Sequence, residues 1–232
     1  MTAENPIPSS IAARLQAVRT HLPEGVTLVA VSKFHPSSTI LEAYGAGQRI
    51  FAESRPQELA AKVEEIGPLE GLQWHFIGHL QTNKLKQVLP YVELVQSVDS
   101  VHLLDAIEKW AAAVGRKVNV LLEMHIALEE SKQGFYEEEL LEILLRATGD
   151  GAWPHVNFCG LMGMASNTDD AEQVRTDFTR IRSYFDYLQE LFSELPDFKT
   201  LSIGMSGDYP LAVECGSTMV RVGTSIFGAR VY

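Results

Sequence analysis

Little in this chain could staple it or anchor it. Two cysteines, Cys159 and Cys215, are the whole complement in 232 residues, and no Cys-x-x-Cys occurs. That excludes a disulfide framework. Both sit among apolar or small residues and read as buried, inert thiols. No run approaches the roughly 18 apolar residues that would suggest a membrane span. No charged segment leading into an apolar one opens the chain, so a signal peptide is not expected either. Positive charge is also short. Nineteen Lys and Arg against 30 Asp and Glu leave a formal net charge of -11, which removes the global basic footprint of a nucleic-acid binder. The local Asn83-Lys84-Leu85-Lys86 segment reads as a solvated helix face. A reduced, cytoplasmic setting is the expectation.

What is present is a globular composition, 46% hydrophobic and 21% charged, in a chain long enough to bury a full core. Residues 1–6 read as a loose start and 7–22 as an N-terminal helix, with Ser9 or Ser10 as its cap and Ile11, Leu15 and Val18 at helical spacing. From there strands and helices alternate. Thr27 to Ser32 is a nearly continuous apolar run, as in a strand buried on both faces of a parallel sheet. Further strands are expected at 49–53, 73–77, 91–97, 117–125, 157–162, 200–203 and 219–222. Between them lie helices over 56–66, 82–88, 100–114, 135–148, from Thr168 past Leu191, and 209–214, with one more from Ser37 to about Gly45. About eight strand–helix units and no internal linker predict one α/β domain over 1–232, a (β/α)8 TIM-type barrel with an extra N-terminal helix. The turn after the first strand reads Ser-Lys-Phe-His-Pro rather than Gly-x-Gly-x-x-Gly, which argues against an open dinucleotide-binding sheet.

In such a barrel, reactive groups stand at the C-terminal ends of strands. Lys33 is the first. Desolvation at the mouth would favour its neutral, nucleophilic amine, the form that Schiff-base chemistry needs; the plainer alternative is a surface lysine closing a strand. The second is Gly216 to Gly228, where a strand carrying Arg221 leads into Gly223-Thr224-Ser225. Glycine there admits an anion to the backbone, and the hydroxyls can donate to it; the plainer alternative is a turn closing the barrel. In Gly204-Met205-Ser206-Gly207-Asp208, Ser206 could donate to a phosphate, while capping of the short helix explains Asp208. His75 and His79 stand four apart, but on a strand running into a loop and with no carboxylate or cysteine to complete a set, so no metal site is expected. His75 reads as a satisfied interior residue, His79 as one facing the mouth, and Lys132 in Ser131-Lys132-Gln133-Gly134 as solvent-exposed.

These segments together resemble the pyridoxal phosphate homeostasis proteins, also described as proline synthase co-transcribed or alanine racemase N-terminal-domain-like. The resemblance spans nearly the whole chain. It lies in Val29-Ala30-Val31-Ser32-Lys33, Phe51-Ala52-Glu53-Ser54-Arg55-Pro56-Gln57-Glu58 and Trp74 through Lys84. It continues in Ser131-Lys132-Gln133-Gly134, Gly160-Leu161-Met162, Gly204 through Asp208 and Gly216 through Gly228. It implies a barrel that binds pyridoxal 5′-phosphate covalently through Lys33. It implies phosphate contacts from Ser206, Gly223 and Thr224, and Arg221 facing the pyridine nitrogen. An Arg there would keep that nitrogen unprotonated and weaken the ring as an electron sink. Ser54, His79 and Met205 complete the implied cofactor-binding set. Two departures stand out. Phe51-Ala52-Glu53-Ser54 replaces the usual Phe-Gly-Glu-Asn or Phe-Gly-Glu-Ser, and Met124-His125 replaces the common Val-Asn, which makes His125 a weak further candidate.

The function implied is reversible holding of pyridoxal phosphate in intracellular cofactor homeostasis, without robust catalysis, with apo-enzymes dependent on that cofactor as possible recipients and the protein a monomer. An amino-acid racemase is the alternative. Racemisation needs an acid/base group on each face of a carbanion. Lys33 could serve one face; the second-domain tyrosine of alanine racemase has no expected counterpart in a chain ending at Tyr232, Tyr209 being the nearest substitute. A third reading is a barrel that binds another phosphorylated metabolite, with Lys33 merely ionic.

Overall fold

The computed structural model describes residues 10–129 and 132–229. Eight parallel strands close into a barrel in chain order: β1 Thr27–Val31, β2 Ile50–Glu53, β3 Gln73–Phe76, β4 Leu94–Val98, β5 Val118–Met124, β6 Val156–Gly163, β7 Thr200–Ser202 and β8 Met219–Val222. Closure is made by β8 on β1, with Val29 opposite Arg221 and Ala30 opposite Val222. The helices are α1 Ile11–Arg19, α2 Ser37–Gly45, α3 Pro56–Ile66, α4 Leu85–Val88, α5 Val101–Val114, α6 Glu137–Gly149, α7 Ala171–Leu191, α8 Tyr209–Glu214 and α9 Thr224–Phe227. None of the described helices is long and apolar enough to cross a membrane.

The pleat of the strands sorts the strand side chains between two cores, because successive residues point to opposite faces, with register irregularities in β4 to β6. Leu28 and Ala30 of β1 and Val220 and Val222 of β8 face outward and pack in the large layer under the helices. Val29, Val31, Ala52, Leu121, Met162 and Met219 face inward and fill the barrel. Burial of each such side chain is worth about 1.5–3 kcal/mol. The same parity puts Arg221 in the lumen beside Met219, and extends the inward row of Val29 and Val31 to position 33 at the mouth.

Several boundaries differ from the sequence expectation. Ser10 caps α1, its side chain accepting from the Ala13 N–H; Ser9 lies outside the described residues. β4 begins at Leu94 rather than Tyr91, which is exposed. The stretch from Thr82 starts as a 3-10 turn, Thr82–Lys84, before α4. Phe135 pairs with Met124 as an isolated bridge, and α6 starts two residues later. Thr168 does not open α7; Asp170 caps it, and the Thr168 hydroxyl receives the Asp170 N–H. Asp208 makes no side-chain cap on α8. Cys159 and Cys215 are half-buried rather than buried, and burial still pushes the Cys159 thiol up to about 11, which keeps it an inert thiol near neutrality. The Gly223-Thr224-Ser225 segment, whose plainer alternative is a closing turn, holds a helix, α9, too short to show a periodicity in the sequence.

Candidate functional site

Two residues past the end of β1, Lys33 stands with Val31 on the wall of a cavity of about 220 Å³. Ile77, Met162 and Met164 give this cavity an apolar side, and the loops after β7 and β8 give it a polar one. The polar side is built from Met205, Ser206, Arg221, Gly223 and Thr224. Lys33 and those five residues are thus brought together from opposite ends of the chain by closure of β8 on β1.

The end formed by the β7 and β8 loops is rich in donors. The Ser206 Oγ receives the Gly223 N–H at 3.1 Å and the Ser225 N–H at 3.4 Å. The Asp208 carboxylate, instead of capping α8, receives the Met205 N–H at 2.5 Å and so tightens the turn that carries Ser206. Gly204 opens that turn at φ +94, and a Cβ there would meet the Ala212 Cβ at 2.6 Å. Gly223 lies against β1; a Cβ on it would come within 3.1 Å of the Val31 carbonyl oxygen. Amide and hydroxyl donors on a backbone that a ligand can approach closely are what an oxyanion such as a phosphate needs.

Arg221 is buried and fully engaged on one side. Its Nη1 donates to the Ser202 carbonyl and hydroxyl oxygens, each at 2.7 Å, and its Nη2 to the Gly163 carbonyl at 3.0 Å. Burial pulls its pKa down to about 10, so it stays protonated near neutrality. The chain of bonds continues across the lumen. Ser202 Oγ donates to Gln96 Oε1 at 2.7 Å, and Gln96 Nε2 lies 2.9 Å from His75 Nδ1. Burial lowers His75 to about 4; it is a neutral, satisfied interior residue. Glu123, which faces the same lumen on β5, is pushed up to about 7 by burial and by Asp99, against the pull of Arg221 and His79.

Three of the residues singled out in the sequence lie off this cavity's wall. Ser54 is half-buried, with its carbonyl oxygen 2.1 Å from where a Cβ on Gly78 would be. The His79 side chain is about half exposed and its Nδ1 is 2.9 Å from Asp99 Oδ2. His125 is buried with its Nε2 3.0 Å from the Glu129 carbonyl. Lys132 is not the solvent-exposed lysine expected: its ammonium donates to the Ala165 carbonyl at 2.6 Å, beside Glu129. Tyr209 packs in the helix-side core. Among the described residues no group of His, Cys, Asp and Glu could hold a metal ion.

Sequence reasoning missed a buried ionic cluster behind Lys33. The Lys62 ammonium donates to the Glu53 and Glu58 carboxylates, both at 2.7 Å, and to the Ser32 carbonyl at 2.8 Å. Burial raises Glu53 to about 7 in spite of Lys62. The four-residue spacing of Glu58 and Lys62 on a helix was the available signal, but such pairs are ordinarily solvated.

The sequence profile of the alanine racemase N-terminal domain matches residues 8–231. The pyridoxal phosphate homeostasis protein of Pasteurella multocida is 39% identical over 210 residues, covering 89% of this chain and 88% of the relative. That of Escherichia coli K12 is 39% identical over 213 residues, covering 90% and 88%. Among solved structures, PipY of Synechococcus elongatus is similar at 37% identity, over 94% of this chain and all of PipY. Its TM-score is 0.88 without pyridoxal phosphate and 0.86 with it bound. Alanine racemase of Corynebacterium glutamicum shares the fold at 15% identity and TM-score 0.75, with 61% of its length covered. Closed barrel, profile and relatives of nearly equal length agree, and the chain belongs to the pyridoxal phosphate homeostasis protein family, whose barrel is that of the alanine racemase N-terminal domain.

Proposed function

We propose that this chain binds pyridoxal 5′-phosphate reversibly as a Schiff base on Lys33 and acts in intracellular homeostasis of that cofactor, without robust catalysis. The observation that carries the reading is the single cavity joining the Lys33 side chain to the Ser206, Gly223 and Thr224 donor set. An amine at one end and phosphate donors at the other fit a phosphorylated aldehyde. A relative at 37% identity has been solved with pyridoxal phosphate bound. When present, the cofactor supplies an electrophilic aldehyde carbon and a ring that can accept electron density. Lys33 binds the first; Ser206, Gly223 and Thr224 hold the phosphate; Met205 borders it. Arg221, already held by Ser202 and Gly163, presents a fixed positive charge towards the ring nitrogen and keeps it unprotonated. Ser54 and His79 are not on the wall of this cavity.

Racemisation by proton exchange on both faces needs two acid/base groups. The described part of the wall that Lys33 shares is apolar at Ile77, Met162 and Met164 and built of anion donors at Ser206, Gly223 and Thr224, which suits holding a phosphorylated aldehyde. On this reading the 1–232 barrel is one cytoplasmic, monomeric unit that delivers the cofactor to apo-enzymes; the unpaired cysteines suit a reducing compartment. The test is spectroscopic. Protein loaded with pyridoxal phosphate should show a visible absorption band that borohydride fixes on Lys33 and that Lys33→Ala lacks. Loaded protein should then pass cofactor to an apo-enzyme. A colourless protein would point instead to another phosphorylated ligand, and turnover of L- to D-amino acids that is lost in Lys33→Ala would replace the carrier reading with the racemase.

A further inference from the structure

The ionic cluster behind Lys33 is buried and costly to desolvate. Lys62 is 5% exposed and Glu53 fully buried, and one Glu53 oxygen has no hydrogen-bond partner. Taking such charges out of water is costly, and an apolar trio of the same size would often serve stability as well or better. What the cluster grips is more informative than its own bonding. The Lys62 ammonium and the Glu53 carboxylate hold Ser32, through the Ser32 carbonyl at 2.8 Å and the Ser32 hydroxyl at 2.6 Å. Glu58 Oε1, bonded to the same ammonium, receives the Phe34 N–H at 2.6 Å. Both chain neighbours of Lys33 are therefore fastened to one cluster, carried by β2 and α3. The backbone it fastens is strained: Phe34 has φ +67, left-handed for a bulky residue. The Arg55 guanidinium lies 4.5 Å over the Phe34 ring and adds a second hold. Strain of this kind persists only where surrounding contacts over-determine it, and it gathers at functional sites.

We infer that Glu58, Lys62 and Glu53 are positioning residues for Lys33: by fixing the backbone at 32 and 34 they set the direction in which its amine leaves β1 and enters the cavity. This rests on the proposed role of Lys33. None of the three side chains is on the cavity wall, so their effect on the amine passes through the backbone.

The test compares wild type with Glu58→Ala, which removes the acceptor for Phe34, and Glu58→Gln, which keeps an oxygen there. Lys62→Met serves as a second variant, releasing Ser32. In cofactor-free protein, hydrogen exchange at the Phe34 amide should speed up in Glu58→Ala by about tenfold or more, as expected for a lost bond to a charged acceptor. With pyridoxal phosphate added, capture by Lys33, followed by the visible band, should slow by a similar factor, on the order of tenfold, and its pH profile should move. Affinity for pyridoxine 5′-phosphate, which has no aldehyde, should stay at the wild-type value, and Glu58→Gln should recover most of the rate. Equal capture rates in wild type, Glu58→Ala and Lys62→Met would overturn the inference. So would a parallel fall in pyridoxine phosphate affinity with no recovery in Glu58→Gln, the pattern of general loosening. A wild type that forms no Schiff base would instead remove the role proposed for Lys33, and with it the inference.

Discussion

The Ser206 hydroxyl oxygen lies 3.1 Å from the Gly223 amide nitrogen, so the loop after β7 is latched to the loop after β8 by a side chain that itself faces the cavity. A phosphate arriving there would take over these donors and gain the hydroxyl as well. Ser206→Ala removes the acceptor of two part-buried amides in the empty protein, but the phosphate would satisfy both when bound, so it should weaken pyridoxal phosphate binding more than it weakens the fold. A hydrogen bond to a charged group is worth about 1.5–3 kcal/mol, so the dissociation constant should rise about tenfold to a hundredfold by absorbance titration, with the melting temperature nearly unchanged. An unaltered titration would place the phosphate elsewhere.

Gly223 tests the same end from the backbone side. Its added Cβ would stand 3.1 Å from the Val31 carbonyl oxygen and 3.3 Å from the Val31 Cβ. The first obstacle is backbone in a closed barrel and gives little. Overpacking of this order costs about 1–3 kcal/mol. Gly223→Ala should lower the melting temperature measurably and, by tilting the first turn of α9, reduce affinity for pyridoxal phosphate in the same titration.

The barrel was legible in the sequence because its signals are periodic. Eight apolar runs alternating with helical segments define strands buried on both faces, and the parity that sends Arg221 inward is a property of any strand. That Lys33, Ser206, Arg221, Gly223 and Thr224 would meet at one cavity was legible for a related reason, since strand ends and glycine-flanked hydroxyls carry a positional meaning. What stayed hidden has no local signature. α9 is four residues long, about one turn, so no periodicity can repeat within it. Asp208 looks like a cap in sequence, but its carboxylate turns back to receive the Met205 N–H, in a turn opened by Gly204 at φ +94. Ser54 and His79 sit in the right segments yet off the cavity wall, which only the loop paths decide. Lys62 reads as an ordinary helix lysine until three-dimensional packing seals it beneath Ser32.

Gln96 is the middle of the polar chain that crosses the lumen, joining Ser202 to His75. Gln96→Leu keeps the volume roughly constant and removes both bonds. A buried polar group left without a partner costs about 1–3 kcal/mol; His75 Nδ1 is left so, while the Ser202 hydroxyl loses its acceptor but still receives Arg221 Nη1. The expected result is a drop in denaturant midpoint with an unchanged slope. The pyridoxal phosphate absorption maximum should also shift, because Ser202 then holds Arg221 less firmly. A variant as stable as wild type would mean that water replaces the amide.

Glu123 gives a pH dependence whose sign follows from its environment. Burial raises its pKa from 4.5 to about 7. Between those values the folded protein keeps a proton that the unfolded chain has released, so this group's contribution to stability falls as pH rises through the window and is level on either side. Glu53 is raised over the same range, while His75, lowered to about 4, works in the opposite direction between about 4 and 6.5. Comparison of wild type with Glu123→Gln removes both, since each is present in either protein. The amide cannot ionise, so the melting temperature of Glu123→Gln relative to wild type should climb steadily from about pH 5 to about pH 7 and then level off. Arg221 keeps its bonds to Ser202 and Gly163 in the variant, which protects the fold from an unpaired guanidinium. A difference that is constant across the range would show that Glu123 titrates as an ordinary carboxylate, and that water reaches the lumen beside Arg221.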